Sequence, residues 1–402
     1  MVDLSRIKMV GPILPFMAGF DAELERLGYT NFSARGQLWL ANHLSSWMVE
    51  QGLELSGLDN SHIEQYPIWR KSLGRTAFRS TKALSPLVGY LRSLGAMPPP
   101  PEPAGPVGPV EILLEQYRRY LLSERGVSVK TARDYVDAVR PFVAGLADET
   151  EVRWESATAA EVTAFVLAQC RVRRVRAAKM VVTAMRSLLR WLHVEGFVEA
   201  SLSAAAPKIA DRREELPRSL TPVQVRALLD SCDDSVAGRR DYAVMVLMAR
   251  LGLRCGEVSA LLLEDVDWRR GQITVRGKPQ RVDVLPLPDD VGQAMADYLR
   301  LGRPVDAVDR RVFVRVKAPH CGLTAGGVTQ AVVAAGARSG LGWVTAHRLR
   351  HSAACAMLRA GSPLAEIGQV LRHQRTSTTA RYAKTDVTAL RALARPWLGG
   401  TA

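Results

Sequence analysis

The sequence has few of the features that mark secreted, membrane or metal-bound proteins. Its 402 residues include only five cysteines, scattered from Cys170 to Cys355 without the paired spacing of a zinc site. Such a set is typical of reduced cytosolic thiols. No run of roughly eighteen apolar residues occurs, and Pro12 and Pro15 interrupt the apolar N-terminal stretch. We therefore expect a cytoplasmic protein without a signal peptide, a membrane partner or a bound metal.

Negative charge is also scarce. The chain has 54 lysines and arginines against 40 aspartates and glutamates, a net charge of +14 and a pI near 9.9. Of these side chains, 27 basic and 16 acidic ones lie in residues 217–402. This imbalance favours a polyanionic partner, most commonly nucleic acid. A solvated basic surface without a partner is the alternative.

A proline-rich stretch divides the chain. Residues 98–109 cannot form a helix or a central strand, because proline lacks an N–H and fixes φ. They predict a semi-rigid linker. Before it, residues 1–97 predict an N-terminal helical module. After it, residues 110–207 predict a second helical module and residues 217–402 a final domain.

The first two modules share a local likeness. Residues 28–34 and 126–132 both place a glycine, a hydroxyl residue and an alanine at equivalent points before a helix. This hints that residues 1–97 form an extra copy of the second module, with a DNA-binding role of its own. Chance likeness between two helical segments is the alternative.

The final domain is predicted to be mainly helical with one small antiparallel sheet. Residues 241–251 are almost wholly apolar and predict a buried helix that Gly252 ends. Alternation in residues 271–276 and 281–286, with a turn between them, predicts a β-hairpin.

Basic residues crowd one stretch of the second module. Such a run usually forms the solvated face of a helix. In a DNA-binding interpretation these side chains contact phosphates, which position a protein without specifying sequence. The residues are Arg171, Arg173, Arg174, Arg176 and Lys179.

Six residues of the final domain form an ordered set. Arg254 lies in Leu-Gly-Leu-Arg-Cys-Gly-Glu, and Lys278 lies in the predicted hairpin turn. The others are His347 and Arg350 in His-Arg-Leu-Arg-His, His373 in Leu-Arg-His, and Tyr382 nine residues later. Thr376 and its neighbours offer a cap for a short helix that carries Tyr382.

This set resembles the catalytic residues of the tyrosine recombinase (phage integrase) family. The family pattern is an arginine in Gly-Leu-Arg-x-Gly-Glu, a lysine in a hairpin turn, His-x-x-Arg-His, Leu-x-His, and a tyrosine nine residues on. One box by itself would be weak, but five in order at the family spacing are specific. The resemblance covers roughly residues 110–395. The departures, Cys255 and Gln374, touch no catalytic position.

The resemblance implies a multidomain C-shaped DNA clamp, with a core-binding, SAM-like module at 110–207 and a catalytic domain at 217–402. It implies a site-specific recombinase of the integrase or transposase type that cleaves and rejoins double-stranded DNA through a 3′-phosphotyrosine. No metal, ATP or other cofactor is expected. A homotetramer on two DNA sites is expected, located on the nucleoid in the cytoplasm and serving a mobile element. Contact with other recombinases is left open.

The residue types suit this chemistry. Arg254 and Arg350 can stabilise the charge on the non-bridging phosphate oxygens. His347 is a candidate proton acceptor from Tyr382, and clustered cations favour the phenolate. Lys278 can deliver a proton to the leaving 5′-oxygen.

Several residues also have structural interpretations. Arg254 could simply pair with Glu257, and Arg276 and Arg281 rival Lys278 as the hairpin cation. His351 and Tyr382 could also have structural rather than catalytic roles. His351 is expected to pack rather than to catalyse. The basic flanks of Tyr382, Arg381 and Lys384, favour a surface facing DNA over a core position.

Three other functions are open from the residues. A type IB topoisomerase would use the same chemistry without a target site, and a catalytically silent regulator would bind DNA only. A metal-dependent nuclease would need the carboxylates of the final domain, although loop and cap solvation explains them better. These carboxylates are Glu264, Asp265, Asp267, Asp289 and Asp290. After Tyr382, residues 385–396 predict a helical tail that packs on a neighbouring subunit or on its own domain.

Overall fold

The computed structural model describes residues 10–75, 77–78, 80–100, 105–207, 209, 219–277, 282–373 and 376–383. Within them, buried apolar side chains form one core in each helical module, a large core in the final domain, and a small cluster around Tyr382. The predicted fold class, mainly helical with a small antiparallel sheet, is confirmed. Among the helices described, none has both the length and the apolar character that a bilayer span requires.

The first module packs its helices around Leu38, Trp47 and Tyr66. Polar side chains fix where these helices begin. Thr30 accepts a hydrogen bond from the Ser33 backbone N–H, which caps the second helix. The helices are α1 (Met17–Arg26), α2 (Asn31–Glu50), α3 (Asn60–Ser72) and α4 (Ser85–Ser93).

The second module is built in the same way. Thr158 and Glu161 form a capping box at the start of its third helix. The Tyr117 ring lies 5.3 Å from Trp191, and its hydroxyl donates to the Ala184 carbonyl, which gives this buried polar group a partner. The helices are α5 (Pro109–Ser123), α6 (Val129–Gly145), α7 (Ala159–Val172) and α8 (Val175–Val194).

The final domain is organised around one buried helix. This helix packs against its neighbours on several sides and begins at Val236, five residues before the predicted start, because Ser235 caps it. Gly252 ends it, as predicted. The helices are α9 (Pro222–Asp230), α10 (Val236–Leu251), α11 (Cys255–Ala260), α12 (Asp289–Leu301), α13 (Ala325–Arg338), α14 (Ala346–Arg359), α15 (Leu364–Val370) and α16 (Thr376–Ala383).

The sheet is antiparallel, in the order β1-β2-β3. The predicted hairpin is confirmed, and Thr274 pairs with Val284 in its register. Sequence reasoning missed the first strand, which has two residues, too few to show alternation. The strands are β1 (Val266–Asp267), β2 (Gln272–Arg276) and β3 (Val282–Pro286). The hairpin turn at 278–281 lies outside the described residues.

The chain divides into two compact units. Met1–Pro100 and Glu215–Ala402 form one, and Pro101–Glu214 forms the other. In the first unit, Gly28 lies directly against His320. The core of the first module nevertheless extends only from Ile13 to Met97, while that of the final domain begins at Leu220. The division into three domains at the predicted boundaries stays a prediction.

Candidate active site

Arg350 is the most deeply held cation of the site. Its side chain is buried on α14, and its two terminal nitrogens donate to the carbonyls of Gly252 and Leu371. Gly252 has φ +59°, and a Cβ there would lie 2.4 Å from the Leu371 side chain, so only glycine fits at this end of α10. Burial, and then the charge of Arg254, lowers the pKa of Arg350 to about 10. The guanidinium is thus charged at neutral pH and fixed before any substrate binds.

Arg254 stands at the N-cap of α11 and does pair with Glu257, as the structural interpretation expected. The Glu257 carboxylate accepts from the Arg254 backbone N–H at 2.8 Å and from its Nη1 at 2.6 Å. The second terminal nitrogen of Arg254 donates to the Arg372 carbonyl at 3.3 Å. The side chain is 45% exposed, so the ion pair orients the guanidinium and leaves it open to a ligand.

Arg372 and the paired role of Glu257 were missed by sequence reasoning. Arg372 Nη2 donates to Glu257 at 2.8 Å, and Nη1 donates to the Val370 carbonyl at 2.7 Å. Its φ of 56° lies in the left-handed region, which costs a side-chain-bearing residue roughly 1–2 kcal/mol relative to glycine. Although burial acts to raise the pKa of Glu257, the charge of Arg372 and the hydrogen bonds from Arg254 hold it below the ordinary value.

The predicted surface position of Tyr382 is wrong, because its side chain is 2% exposed. Adjacent helix positions point about 100° apart, so basic flanks do not fix the face of the residue between them. The Tyr382 hydroxyl lies 2.8 Å from His351 Nδ1. His351 in turn has its ring 4.2 Å from that of His347, one turn earlier on α14. The apolar neighbours of the tyrosine are Ala354, Cys355, Ile367 and Leu371.

His373 follows the end of α15 and faces α16. Its Nδ1 lies 2.8 Å from Thr379 Oγ1, and its ring is parallel to that of Tyr382 at 6.1 Å. Burial lowers the pKa of His373 to about 4, with further contributions from Arg350 and Arg254. The imidazole is therefore neutral across the physiological range.

Of the three candidate cations of the hairpin, the structure describes Arg276. Lys278 and its rival Arg281 lie outside the described residues. The other rival, Arg276, pairs with the Asp265 carboxylate at 2.6 Å, and Asp265 is 3% exposed. Arg276 therefore holds a buried charge in place, which leaves it unsuited to move a proton.

The structure thus brings together five of the six predicted residues, and Lys278 is the one it does not describe. The charge of Tyr382 acts on the pKa of Arg350, and the charges of Arg254, Arg350 and His347 act on that of His373. The two guanidinium groups and the two histidines of this set can stabilise the charge of a phosphate during substitution, and the tyrosine can supply an attacking oxygen.

The remaining predicted residues lie elsewhere. Glu264 pairs with Arg310 at 2.6 Å, and Asp290 with Arg250 at 2.5 Å, so these carboxylates serve surface ion pairs. The basic cluster spans the end of α7 and the start of α8. Its four arginines are exposed and Lys179 is half-buried.

Known protein families match the final domain and the second helical module. The Phage integrase family matches residues 218–388, and the Phage integrase, N-terminal SAM-like domain matches residues 114–196. Full-length relatives match as well. The chain is 39% identical over 394 residues to y4rA of Sinorhizobium fredii, provisionally named an integrase/recombinase, which covers 97% of this chain and 95% of that one. It is 30% identical to the tyrosine recombinase XerC of Histophilus somni, over 69% of this chain and 94% of that one.

Solved structures share the fold. A lambda integrase tetramer bound to a Holliday junction has a TM-score of 0.53 at 18% identity, over 77% of this chain and 87% of that one. The Tn1549 transposon integrase in complex with transposon right end DNA has a TM-score of 0.53 at 15% identity, over 70% and 99%. The chain therefore belongs to the phage integrase family of tyrosine recombinases, and it is a site-specific recombinase that breaks and rejoins DNA.

Proposed function

We propose that Tyr382 is the nucleophile of this recombinase. Its hydroxyl attacks a phosphodiester of double-stranded DNA and forms a 3′-phosphotyrosine, while the 5′-oxygen leaves as a hydroxyl. The observation that carries this proposal is the meeting of Arg254, Arg350 and His373 at the one tyrosine of α16. Because the phosphoester bond is kept between protein and DNA, rejoining needs no ATP.

The arginines supply the charge that the transition state requires. Arg350 is held by two backbone carbonyls and Arg254 by Glu257, so neither has to reorganise when the phosphate arrives. A fixed guanidinium is best suited to two oxygens of one phosphate. We assign both to the non-bridging oxygens.

The histidines and the lysine have smaller parts. His373 is neutral and can donate one hydrogen bond to a non-bridging oxygen, and His347 can add another. Lys278 gives a proton to the leaving 5′-oxygen. Its rival Arg276 is occupied by Asp265, which supports the choice of lysine.

The burial of Tyr382 adds a condition. With the side chain 2% exposed, a phosphate reaches the hydroxyl only after α16 shifts. We expect binding of the target DNA to supply this shift, since it is the event that brings the phosphate to the arginines.

The binding module and the assembly follow from the same proposal. Residues 110–207 would hold the core site, with the exposed arginines of its basic cluster on phosphates. Residues 1–97 would add a further DNA-binding module, and 98–109 would link the two. Two findings support a tetramer on two DNA sites in a mobile element: the lambda integrase tetramer has this fold, and so does the transposon integrase. Such an enzyme works where the DNA is, on the nucleoid in the cytoplasm. The predicted tail at 385–396, a candidate contact between subunits, lies outside the described residues.

A nicked suicide substrate tests the nucleophile. Duplexes from the DNA flanking the gene are nicked beside candidate cleavage positions, incubated with the enzyme in excess EDTA, and resolved on denaturing gels. We expect a covalent protein–DNA adduct and a free 5′-hydroxyl, with both lost in Tyr382→Phe while DNA binding is kept.

Each alternative function predicts a different outcome, in this assay or in plasmid relaxation. An adduct that persists in Tyr382→Phe would place the nucleophile elsewhere. Cleavage that requires Mg²⁺ would favour a nuclease. Relaxation of any supercoiled plasmid without a target site would favour a topoisomerase, and binding without an adduct a silent regulator.

A further inference from the structure

His351 is the histidine whose ring nitrogen contacts the hydroxyl of the proposed nucleophile. The two residues are 31 positions apart, on α14 and α16, and the Nδ1–Oη distance is 2.8 Å. The ring centroids are 5.4 Å apart and the ring planes are inclined at 61°. The contact has the length of a normal hydrogen bond and lies in a part-buried place.

The other two histidines are placed differently. His373 is parallel to the Tyr382 ring, and its Nδ1 is engaged with Thr379. His347 lies one helical turn before His351, with the two rings 4.2 Å apart. Helical spacing therefore puts His347 and His351 on one face of α14, and His351 is the one whose contact with the tyrosine hydroxyl is recorded.

The chemistry of attack needs such a contact. A tyrosine hydroxyl has a pKa near 10, so it must lose its proton as the bond to phosphorus forms. A neutral imidazole with its proton on Nε2 has an unprotonated Nδ1, whose lone pair can accept that proton. Because Tyr382 is buried, bulk water cannot take the proton while the contact stands, so the shift of α16 that admits a phosphate has to keep His351 and Tyr382 together.

We propose that His351, rather than His347, exchanges the proton of Tyr382 during cleavage and rejoining; this rests on the proposed function of Tyr382. As the Tyr382 oxygen bonds to phosphorus, its proton passes to Nδ1 of His351. The P–O5′ bond breaks, and the 5′-oxygen takes a proton from Lys278. In rejoining, the 5′-hydroxyl returns its proton to Lys278 and attacks phosphorus, and the tyrosine oxygen regains its proton from His351.

Two substitutions separate proton exchange from positioning. His351→Asn keeps a hydrogen-bond acceptor near the place of Nδ1 but cannot take up a proton. His351→Ala removes the contact and leaves space for free imidazole. We expect both full-length variants to bind the mapped cleavage site within about twofold of the wild type, and to form the adduct about 100-fold more slowly or worse. Imidazole in the buffer should partly restore His351→Ala.

The leaving group provides a second measurement. A duplex with sulfur in place of the bridging 5′-oxygen has a leaving group that needs no proton. It should restore adduct formation by Lys278→Ala and leave the His351 variants slow, since their defect is on the nucleophile. His320→Asn is the matched control, because His320 Nδ1 lies 3.0 Å from the Arg315 carbonyl on a loop of the same domain. It should cleave like the wild type.

The outcomes separate this inference from the function on which it rests. Adduct formation at the wild-type rate in His351→Asn would show that His351 only positions the tyrosine, and restoration by the sulfur substrate would move its action to the leaving group. Either result overturns the inference and leaves Tyr382 as the nucleophile. An adduct in Tyr382→Phe overturns the proposed function itself. If His351→Ala does not fold, His351→Asn with the sulfur substrate decides the question.

Discussion

The two halves of the proposed active site are held in different ways. The arginine half consists of Arg254, Glu257, Arg350 and Arg372, and the tyrosine half of His351, His373, Thr379 and Tyr382. In the arginine half, backbone carbonyls and a buried carboxylate fix the guanidinium groups. Its neighbours Leu253, Val258 and Leu349 belong to the large core of the domain. In the tyrosine half, the contacts are between side chains, and the apolar cluster is small and separate.

This difference matches two requirements of the proposed reaction, a fixed set of charges and a mobile tyrosine. Charge stabilisation has to be preorganised, because a cation that must move into place loses much of its advantage. The proposed nucleophile has to move, because Tyr382 is buried without DNA and must reach a phosphate. Placing Tyr382 on an eight-residue helix outside the large core lets it shift at the cost of a few contacts. The arginine half could not shift without opening that core.

Arg350→Ala should give the largest effect in this comparison. Both the Gly252 and Leu371 carbonyls would lose their donor, so we expect the free energy of unfolding to fall by about 2–5 kcal/mol. Adduct formation should fall by about 10²–10³-fold or more. Urea unfolding and the suicide-substrate assay measure the two effects.

Tyr382→Phe is the matched change in the other half. It should abolish the adduct yet lower the free energy of unfolding by only about 1 kcal/mol, since one hydrogen bond is lost and the ring stays. If Tyr382→Phe destabilises the protein as much as Arg350→Ala does, the two halves are not held differently and the comparison fails.

Arg372→Gly should give an intermediate effect. Glycine relieves the left-handed backbone, while loss of the ion pair leaves the Glu257 charge to Arg254 only. These terms oppose each other, so we expect the midpoint of thermal unfolding to change little. The site loses one positive charge, and adduct formation should slow by about tenfold.

Arg372→Lys sharpens this test. Lysine keeps the charge but not the two-nitrogen fork that joins Glu257 to the Val370 carbonyl. If charge is what matters, Arg372→Lys should recover most of the cleavage rate in spite of the strained backbone. Wild-type cleavage by Arg372→Gly would mean that Arg372 has only a structural role.

The sequence predicted the residues of the site better than their contacts. The arginine, histidine and tyrosine boxes are local patterns, and five of their residues do converge. The hairpin and α10 were also predictable, since alternation and an apolar run mark them locally. What escaped are contacts across the chain. The ion pair between Glu257 and Arg372 joins residues 115 positions apart, and no spacing rule connects them.

Tyr382 shows that local sequence also fails to predict burial. Its basic neighbours suggested a surface, whereas burial is decided by which face of α16 meets α14 and α15. One signal could have helped with Arg372. A residue that directly follows the last turn of a helix often adopts the left-handed conformation, where glycine is usual, so an arginine there points to a specific partner.

The last expected effect is a pH dependence confined to the tyrosine half, and it leaves the cleavage chemistry of the arginine half untouched. His373 has its pKa lowered from 6.5 to about 4 by burial and by the nearby charges of Arg350, Arg254, Arg372 and His347. Above pH 6.5 the imidazole is neutral in both the folded and the unfolded chain, and its contribution to stability is fully present. Between pH 6.5 and about 4 the unfolded chain takes up a proton that the folded site refuses, so stability is lost as the pH falls.

Urea unfolding at a series of pH values measures this loss. Below pH 6.5 we expect the free energy of unfolding to fall more steeply in the wild type than in His373→Gln, which has no titrating group at this position. Arg350 supplies the contrast, because its pKa of about 10 keeps it charged throughout the same range. Its contribution should therefore not change, and Arg350→Lys should keep the wild-type slope. Equal slopes in the wild type and His373→Gln would mean that His373 titrates like an exposed histidine, and that the tyrosine half is already open to solvent before DNA arrives.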